Sequence, residues 1–342
     1  MSSSERPLAP RRDPPGLTVR EARPEDNAAL IALELASPLV LGAERAVYDR
    51  SPDFFSRHRL QGEHRVVVAE LDSEIVGVAA AALHTPLVER LPHRLAYISH
   101  ARVRADAQRR GVAGAFSAAL LAWAKEHGAE GAYWFIAPAN EGSIAFGGRG
   151  GGRWPADVTF RRIDVARADA APAPKLAPAR IEEAVALINA THEGQDLFEP
   201  LTAASMAARL RNDPAQYGIE HLRGTVAGGR LVAVAGLWDA GACVQEIRTD
   251  TRTGEVTRSR AASVLDWGWA PGEEAAFRDL LATLAAEARL LGRTALMLSE
   301  PAPGALPGIA LPSSAFALSL FTPTLRPPAS SPRGVFVDLV YL

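Results

Sequence analysis

The stretch that most constrains this chain of 342 residues is Val103-Arg104-Ala105-Asp106-Ala107-Gln108-Arg109-Arg110-Gly111-Val112-Ala113, a short polar turn joining a strand pattern to a helix pattern. Ahead of it, Leu95 to Val103 reads as a strand. Behind it, Gly111 to His127 carries Val112, Phe116, Leu120 and Trp123 at helical spacing. A helix starting near Gly111 leaves its first N–H groups without intrahelical partners and points its positive dipole end outward, which suits a pyrophosphate. Gly111 and Ala113 permit close approach to the main chain, and Arg109 and Arg110 add positive charge. The stretch therefore points to a nucleotide-type cofactor; the plain alternative is an Arg-rich helix start that holds no ligand.

The length argues for about two domains, and a hydrophobic content of 48% is ample for real cores. A formal net charge of -2 gives no case for broad nucleic-acid or anionic-membrane binding. The single cysteine, Cys243, excludes an intrachain disulfide and a cysteine-based zinc cluster, and fits a reducing cytoplasm. Neither a signal-type apolar start nor an uninterrupted apolar run of about 18 residues is present, so a soluble cytoplasmic protein is expected.

Residues 1–16, rich in Ser, Pro and Arg, read as a flexible leader. Leu17 to Ala22 is a short alternating strand, and Arg23-Pro24-Glu25-Asp26 opens a helix carrying Leu30, Ile31 and Leu33. A second helical region is expected around 42–60. Arg65 to Leu71, the turn Asp72-Ser73-Glu74, and Ile75 to Leu83 read as an antiparallel hairpin. After the motif helix, Gly131 to Ala137 is a buried strand, and the glycine run from Gly147 is expected to be a flexible loop. Trp154 to Val165 closes the first half, and the Ala-, Pro- and Asp-rich segment after it is a linker. The second half repeats the plan: a helix from Pro178, another over 201–210, a hairpin from Glu220 to Trp238, a strand over Ala261 to Trp269, a helix over Ala275 to Leu291, and a last strand from Gly334 to Leu342.

Gln108-x-x-Gly111-x-Ala113 after a strand ending in Val103 resembles the Q/R-x-x-G-x-G/A signature of the GNAT superfamily of acyl-CoA-dependent N-acyltransferases, and the order of surrounding elements is similar too. The resemblance implies an α/β (α+β) fold of two tandem GNAT-like domains, each a mixed, mostly antiparallel central sheet flanked by helices. Their bounds are 17–168 and 178–342, with 169–177 between. The second domain is degenerate, because Pro271-Gly272-Glu273-Glu274 lacks the motif and sets two carboxylates where a pyrophosphate would dock. A single GNAT domain followed by an unrelated one is the alternative.

The same resemblance implies acetyl-CoA or a related acyl-CoA as co-substrate and no metal. Ala101, Arg102 and Val103 would lie along the pantetheine arm, with the Val103 N–H directed at the thioester carbonyl; Gln108, Arg109, Arg110, Gly111, Val112 and Ala113 would hold the pyrophosphate; Asn140 would reach the pantetheine region. Asn140, Ser143, Ile144 and Phe146 align with the family's next helix, but Gly147 stands where a Tyr is usual, and Tyr97 stands where a Glu is common. Tyr97 and His100 are therefore the catalytic candidates, with packing as the competing role; Tyr133 could substitute, or fill the core. By the two-residue period, Tyr97, Ser99 and Ala101 share one strand face while Ile98 and His100 share the other.

His192, Glu193, Asp196 and Glu199 form a sequence cluster able to bind a cationic acceptor or simply to solvate a surface, and Trp267 and Trp269 could divide between core and groove. The expected function is N-acetyl transfer to a primary amine of a small molecule or peptide by a monomer or homodimer, with no nucleic-acid or membrane partner. An inactive acyl-CoA-binding regulator or scaffold is the alternative, and a binding module without affinity for CoA is a third reading.

Overall fold

Asp72 (φ 52) and Ser73 (φ 69) both adopt the left-handed conformation, which turns two apolar strands back on one another at the start of the main sheet. The computed structural model describes residues 15–147, 152–302, 304–322 and 328–342. The expected leader lies outside these residues but for its last two, and so does most of the expected glycine-rich loop.

In chain order the first half comprises β1 (Leu17–Glu21), α1 (Asn27–Ala36), β2 (Leu39–Leu41), β3 (Glu44–Asp49), β4 (His64–Leu71), β5 (Glu74–His84), β6 (Leu87–Val88), β7 (Leu91–Pro92), β8 (Leu95–Val103), α2 (Val112–Glu126), β9 (Gly131–Ile136), α3 (Glu141–Gly147), β10 (Gly152–Arg153) and β11 (Val158–Asp164). The second comprises α4 (Ile181–Thr191), α5 (Ala203–Asn212), β12 (Leu222–Ala227), β13 (Arg230–Trp238), β14 (Gln245–Asp250), β15 (Val256–Ser259), β16 (Ala261–Trp269), α6 (Glu274–Leu290), β17 (Ala295–Glu300) and β18 (Ser313–Thr322). Most of the strands join one mixed sheet in the order β1-β4-β5-β8-β9-β18-β11-β17-β16-β13-β12, and helices cover it.

The order carries two facts. β4-β5-β8-β9 and β12-β13-β16-β17 are the same unit twice, each with one parallel pair (β8 with β9, β16 with β17) and a long helix, α2 or α6, as the crossover. The halves also interleave: β18 lies between β9 and β11, and β11 lies between β18 and β17. The last strand of each half thus pairs with a strand of the other.

Three apolar clusters hold the layers. α2 covers one face of the first unit through Val112, Phe116, Leu120 and Trp123 against Val67, Ala69, Ala79 and Ala96. α1 covers the opposite face through Leu30 and Leu33 against Val66, Val68, Val78 and Ala80. The largest cluster runs from Tyr97 and Tyr133 into the second half.

Three expectations are corrected. Residues 42–60 are not a helical region: Gly42 (φ +64) turns β2 into β3, which pairs with β14 of the second half, and only His58–Leu60 makes a short 3-10 turn. The pairing partner is 200 residues away, so no local pattern announces it. The last strand is β18 and not 334–342, where a bridge from Val335 to Asp196 of the same half is followed by a 3-10 turn at Leu339–Tyr341 that takes the Gln61 side chain of the first half at Val340 O. Finally, Trp267 and Trp269 lie on the same strand face, stacked 5.7 Å apart and both against Phe277 of α6, because residues two apart in a strand point the same way.

Candidate functional site

β8 pairs with β9 only at Leu95/Gly131, Ala96/Ala132 and Tyr97/Tyr133. Beyond that point β9 turns to β18, and Ile98 to Val103 have no strand partner on that edge among the described residues. The sheet opens here into a fork. On its other edge β8 pairs with β5, with Arg104 N–H bonded to Val76 O at 2.8 Å and Val103 opposite Gly77. Bonded pairs alternate in an antiparallel ladder, so the Val103 N–H and C=O turn away from β5 and into the fork. The Gln108 side chain donates to that carbonyl (3.3 Å).

From the fork the chain passes through Ala105–Ala107, Arg109 (φ 61) and Gly111 (φ 87) into α2. Two successive left-handed departures set the first turn of α2 beside the fork, and no side chain caps it. Arg109 and Arg110 are exposed, whereas Val112 is buried against Gly77, where an added Cβ would stand 2.8 Å from the Val112 Cγ1. Asn140 accepts from the Ser143 N–H (3.1 Å) and so caps α3.

A β-bulge interrupts the β5/β8 register between Val78/Arg102 and Ala80/Ser99, with His100 at φ 55. The extra residue changes which face later side chains occupy, so the expected split of β8 does not hold. His100 turns to the α1 side of the sheet, 4.7 Å from the His58 ring and 6.0 Å from Phe54. Ile98 packs on the α2 side and Tyr97 on the side of Tyr133. Ala101 is exposed, and Arg102 directs its guanidinium toward Glu34. The second half carries the matching bulge in β16, where Asp266 (φ 47) holds the place of His100.

Two polar groups flank Tyr97. Toward α1 lie Glu34, Arg50, Arg57, His58, His100 and Arg102. Glu34 is fully buried, with Arg50 Nε at 3.7 Å and Arg102 Nε at 3.9 Å from its Oε2. The Arg57 guanidinium lies 5.2 Å above the ring of Trp238 from the second half. Burial lowers Arg57 to about 10, and burial together with Arg50, His58 and Arg57 holds His100 well below its usual range.

His58 is lowered to about 3, chiefly by burial. Its tautomer follows from the contacts: Gln61 Nε2 donates to Val340 O (2.9 Å), so Gln61 Oε1 accepts from His58 Nδ1 (2.9 Å) and Nε2 keeps a bare lone pair.

On the other side, Tyr133 Oη meets His84 Nε2 at 2.7 Å, and His84 Nδ1 is 3.6 Å from the Glu199 carboxylate. Tyr341 packs 4.7 Å from His84. These residues, with Arg209, Asp266 and Asp338, line a cavity of about 50 Å³. Burial raises the Tyr97 and Tyr133 phenols, so both keep their protons at neutral pH. Glu199 is lowered: burial opposes ionisation, but His84 and the Thr85 N–H outweigh it. The sequence cluster around His192 is dispersed. His192 is buried between Gln195 and Trp267 O, Asp196 accepts from the Glu89 N–H and Ser331, and only Glu199 reaches the cavity.

Sequence reasoning missed Glu34, Arg50, Arg57, His58, His84 and Trp238. Glu34 left a signal, a carboxylate four residues after Leu30 on the apolar stripe of α1; the others come together only through long-range pairing. Among the described residues no group of three or more potential metal ligands occurs, and no helix is long and apolar enough to cross a membrane.

Residues 31–149 match the model of the acetyltransferase (GNAT) family. No curated protein matches the sequence. Among solved structures, N-myristoyltransferase of Saccharomyces cerevisiae with bound myristoyl-CoA aligns with a TM-score of 0.62 at 9% identity, over 99% of this chain and 85% of that one. A GCN5-related N-acetyltransferase from Sphaerobacter thermophilus aligns at 0.55 and 14% identity, over 96% of this chain and 99% of that one. The glucosamine N-acetyltransferase region of a fungal multi-domain β-N-acetylglucosaminidase gives 0.60 at 15% identity over 92% of this chain, which spans only 38% of that protein. The likeness to these three is one of fold.

Proposed function

We propose, from the match of residues 31–149 to the acetyltransferase (GNAT) family model, that the protein is a cytoplasmic N-acetyltransferase that passes an acetyl group from acetyl-CoA to a primary amine of a small molecule or peptide. The observation that carries the proposal is the fork: a free strand edge with the Val103 N–H directed into it, ending at an uncapped helix start. A pantetheine arm fits such an edge as an added strand does, and the first N–H groups of α2, with Gly111 offering no side chain, fit a pyrophosphate.

In the reaction the amine nitrogen bonds to the thioester carbon, the C–S bond breaks, the nitrogen loses a proton and the thiolate gains one. The Val103 N–H would donate to the oxygen on which negative charge gathers. Tyr97, protonated and beside the fork, suits the donor role toward sulfur, whereas His100 is neutral and a weak acceptor. Tyr133, His84 and Glu199 form a chain along which a proton can reach solvent. The second half, 178–342, acts in this reading as a second, non-binding domain that roofs the acceptor face of the first.

Thiol release from acetyl-CoA with a panel of amines, beside calorimetry of acetyl-CoA binding, tests the proposal. Turnover in the native protein and loss of binding in Gly111→Glu are expected. Tight binding without thiol release from any amine would instead identify an acyl-CoA-binding regulator. No binding in the native protein would refute both.

A further inference from the structure

Resting on the acyltransferase reading, we propose that the acceptor amine also carries an anionic group, and that Arg50 and Arg57, with the Trp238 indole N–H, form the site that takes it. Three guanidinium groups, those of Arg50, Arg57 and Arg102, gather about His100 here, and Glu34 lies between Arg50 and Arg102 with no hydrogen-bond partner of its own among the described residues. Glu34 stands nearest Arg50 and Arg102, and its contacts with both are loose. Among the described residues Arg57 makes one hydrogen bond, a long one of 3.5 Å to Leu339 O, although it is only 8% exposed. The Nε atoms of Arg50 and Arg57 and Nε1 of Trp238 are buried donors with no hydrogen-bond partner among the described residues.

A buried donor left unpaired is costly, and three of them belong to Arg50, Arg57 and the Trp238 ring beneath Arg57, in a cluster where positive charge exceeds negative. An oxyanion satisfies both deficits at once, by charge and by accepting N–H bonds, and guanidinium groups take carboxylate and phosphate oxygens especially well. The place is apt for an acceptor. The cluster lies on the α1 side of β8, between the exposed Ala101 edge and Tyr97, and its roof, Trp238, belongs to the second half. The same guanidinium groups disfavour the charged ammonium form of an amine held beside them, leaving the nucleophilic free amine, and the bare Nε2 of buried His58 is an acceptor for an amine N–H. An amino acid or an aminophosphonate has the required pair of groups, whereas a polyamine meets only repulsion.

The test measures acetyl-CoA thiol release with free amino acids, their uncharged amides and their aminophosphonate counterparts. We expect kcat/KM for the anionic amines to exceed that for the matched amides by about 30-fold or more, the size of effect seen when one partner of a buried charge pair is removed. Arg57→Gln is expected to erase that preference while acetyl-CoA affinity and the melting temperature stay near the native values, and Arg50→Gln repeats the test should Arg57→Gln fail to fold. A carboxylate preference over phosphonate, or the reverse, identifies the anion. Equal or better turnover of the amides, or an equal loss for amides and acids in Arg57→Gln, overturns the proposal. If no amine releases thiol, the acyltransferase reading fails separately; calorimetry of the same amino acids and phosphonates against the acetyl-CoA-loaded protein then decides. Binding lost in Arg57→Gln sustains the anion site, and absence of binding overturns it.

Discussion

Glu34→Gln is the perturbation whose size can be worked most directly. Glu34 is fully buried, with guanidinium nitrogens of Arg50 and Arg102 at 3.7 and 3.9 Å. At an effective dielectric of about 20, each contact is worth roughly 4 kcal/mol of attraction. Much of that is offset by the cost of stripping water from the ions, and removal of one partner from a buried pair typically costs about 3–5 kcal/mol because the remaining charge is stranded. The stranded charge is mainly that of Arg50, 7% exposed in its side chain, since Arg102 lies nearer solvent at 14%. Glu34→Gln is therefore expected to lower the melting temperature by about 4–7 °C. The double variant Glu34→Gln/Arg50→Met should regain most of it, giving a coupling of about 2 kcal/mol or more in a double-mutant cycle. Thermal unfolding by circular dichroism reads both. A shift below about 2 °C for the single variant, the size of an ordinary surface change, would refute the claim that Glu34 holds the arginine cluster together. In the acceptor reading, Glu34→Gln also makes the cluster more positive, so added carboxylate should stabilise this variant more than the native chain.

Stability should fall with acid from about pH 6.5 down to about 4 through His192 and to about 3 through His58, because both (about 4 and about 3) are held neutral by burial and titrate at 6.5 when unfolded. The unfolded chain binds the extra protons in this window, so each costs about 2 kcal/mol on going from pH 8 to pH 5, and His192→Gln should flatten the pH dependence of the melting temperature. Gly77→Ala places a Cβ 2.8 Å from Val112 Cγ1; pushing back the first turn of α2 should raise the KM for acyl-CoA with the acceptor KM unchanged in steady-state assays. Tyr133→Phe and Glu199→Gln break the chain through His84, and both should lower kcat and shift its pH profile without changing acyl-CoA affinity by calorimetry. A fragment ending at 177 should fail to give a cooperative melt, since β9 loses its partner in β18 and β11 loses both neighbours, and co-expression with 178–342 should restore it.

The strand, turn and helix beside the fork were legible because they are local. A strand, a turn that needs Gly at positive φ, and a helix with an apolar stripe lie within about thirty consecutive residues, where period and turn chemistry speak directly. The β4/β5 hairpin and the repeat in the second half were legible for the same reason. The arginine cluster was not, because Arg50 and Arg57 come under Trp238 only after β3 pairs with β14 and the halves close on each other. His100 shows the limit more finely. Its face was misread because one bulge residue, invisible to a two-residue period, reverses the alternation.

The interleaved strands set the order in which this chain can become functional. On the ribosome the fork-forming strands β8 and β9 emerge early, but the outer neighbour of β9 is supplied by Ser319–Phe321, and β11 waits for partners made more than a hundred residues later. Until then the first half exposes open strand edges, and pairings so distant in sequence are slow to close. The fork is thus completed almost last in synthesis, a delay that favours chaperone capture and places the protein among chains for which swapping of β18 between two copies is the characteristic misassembly.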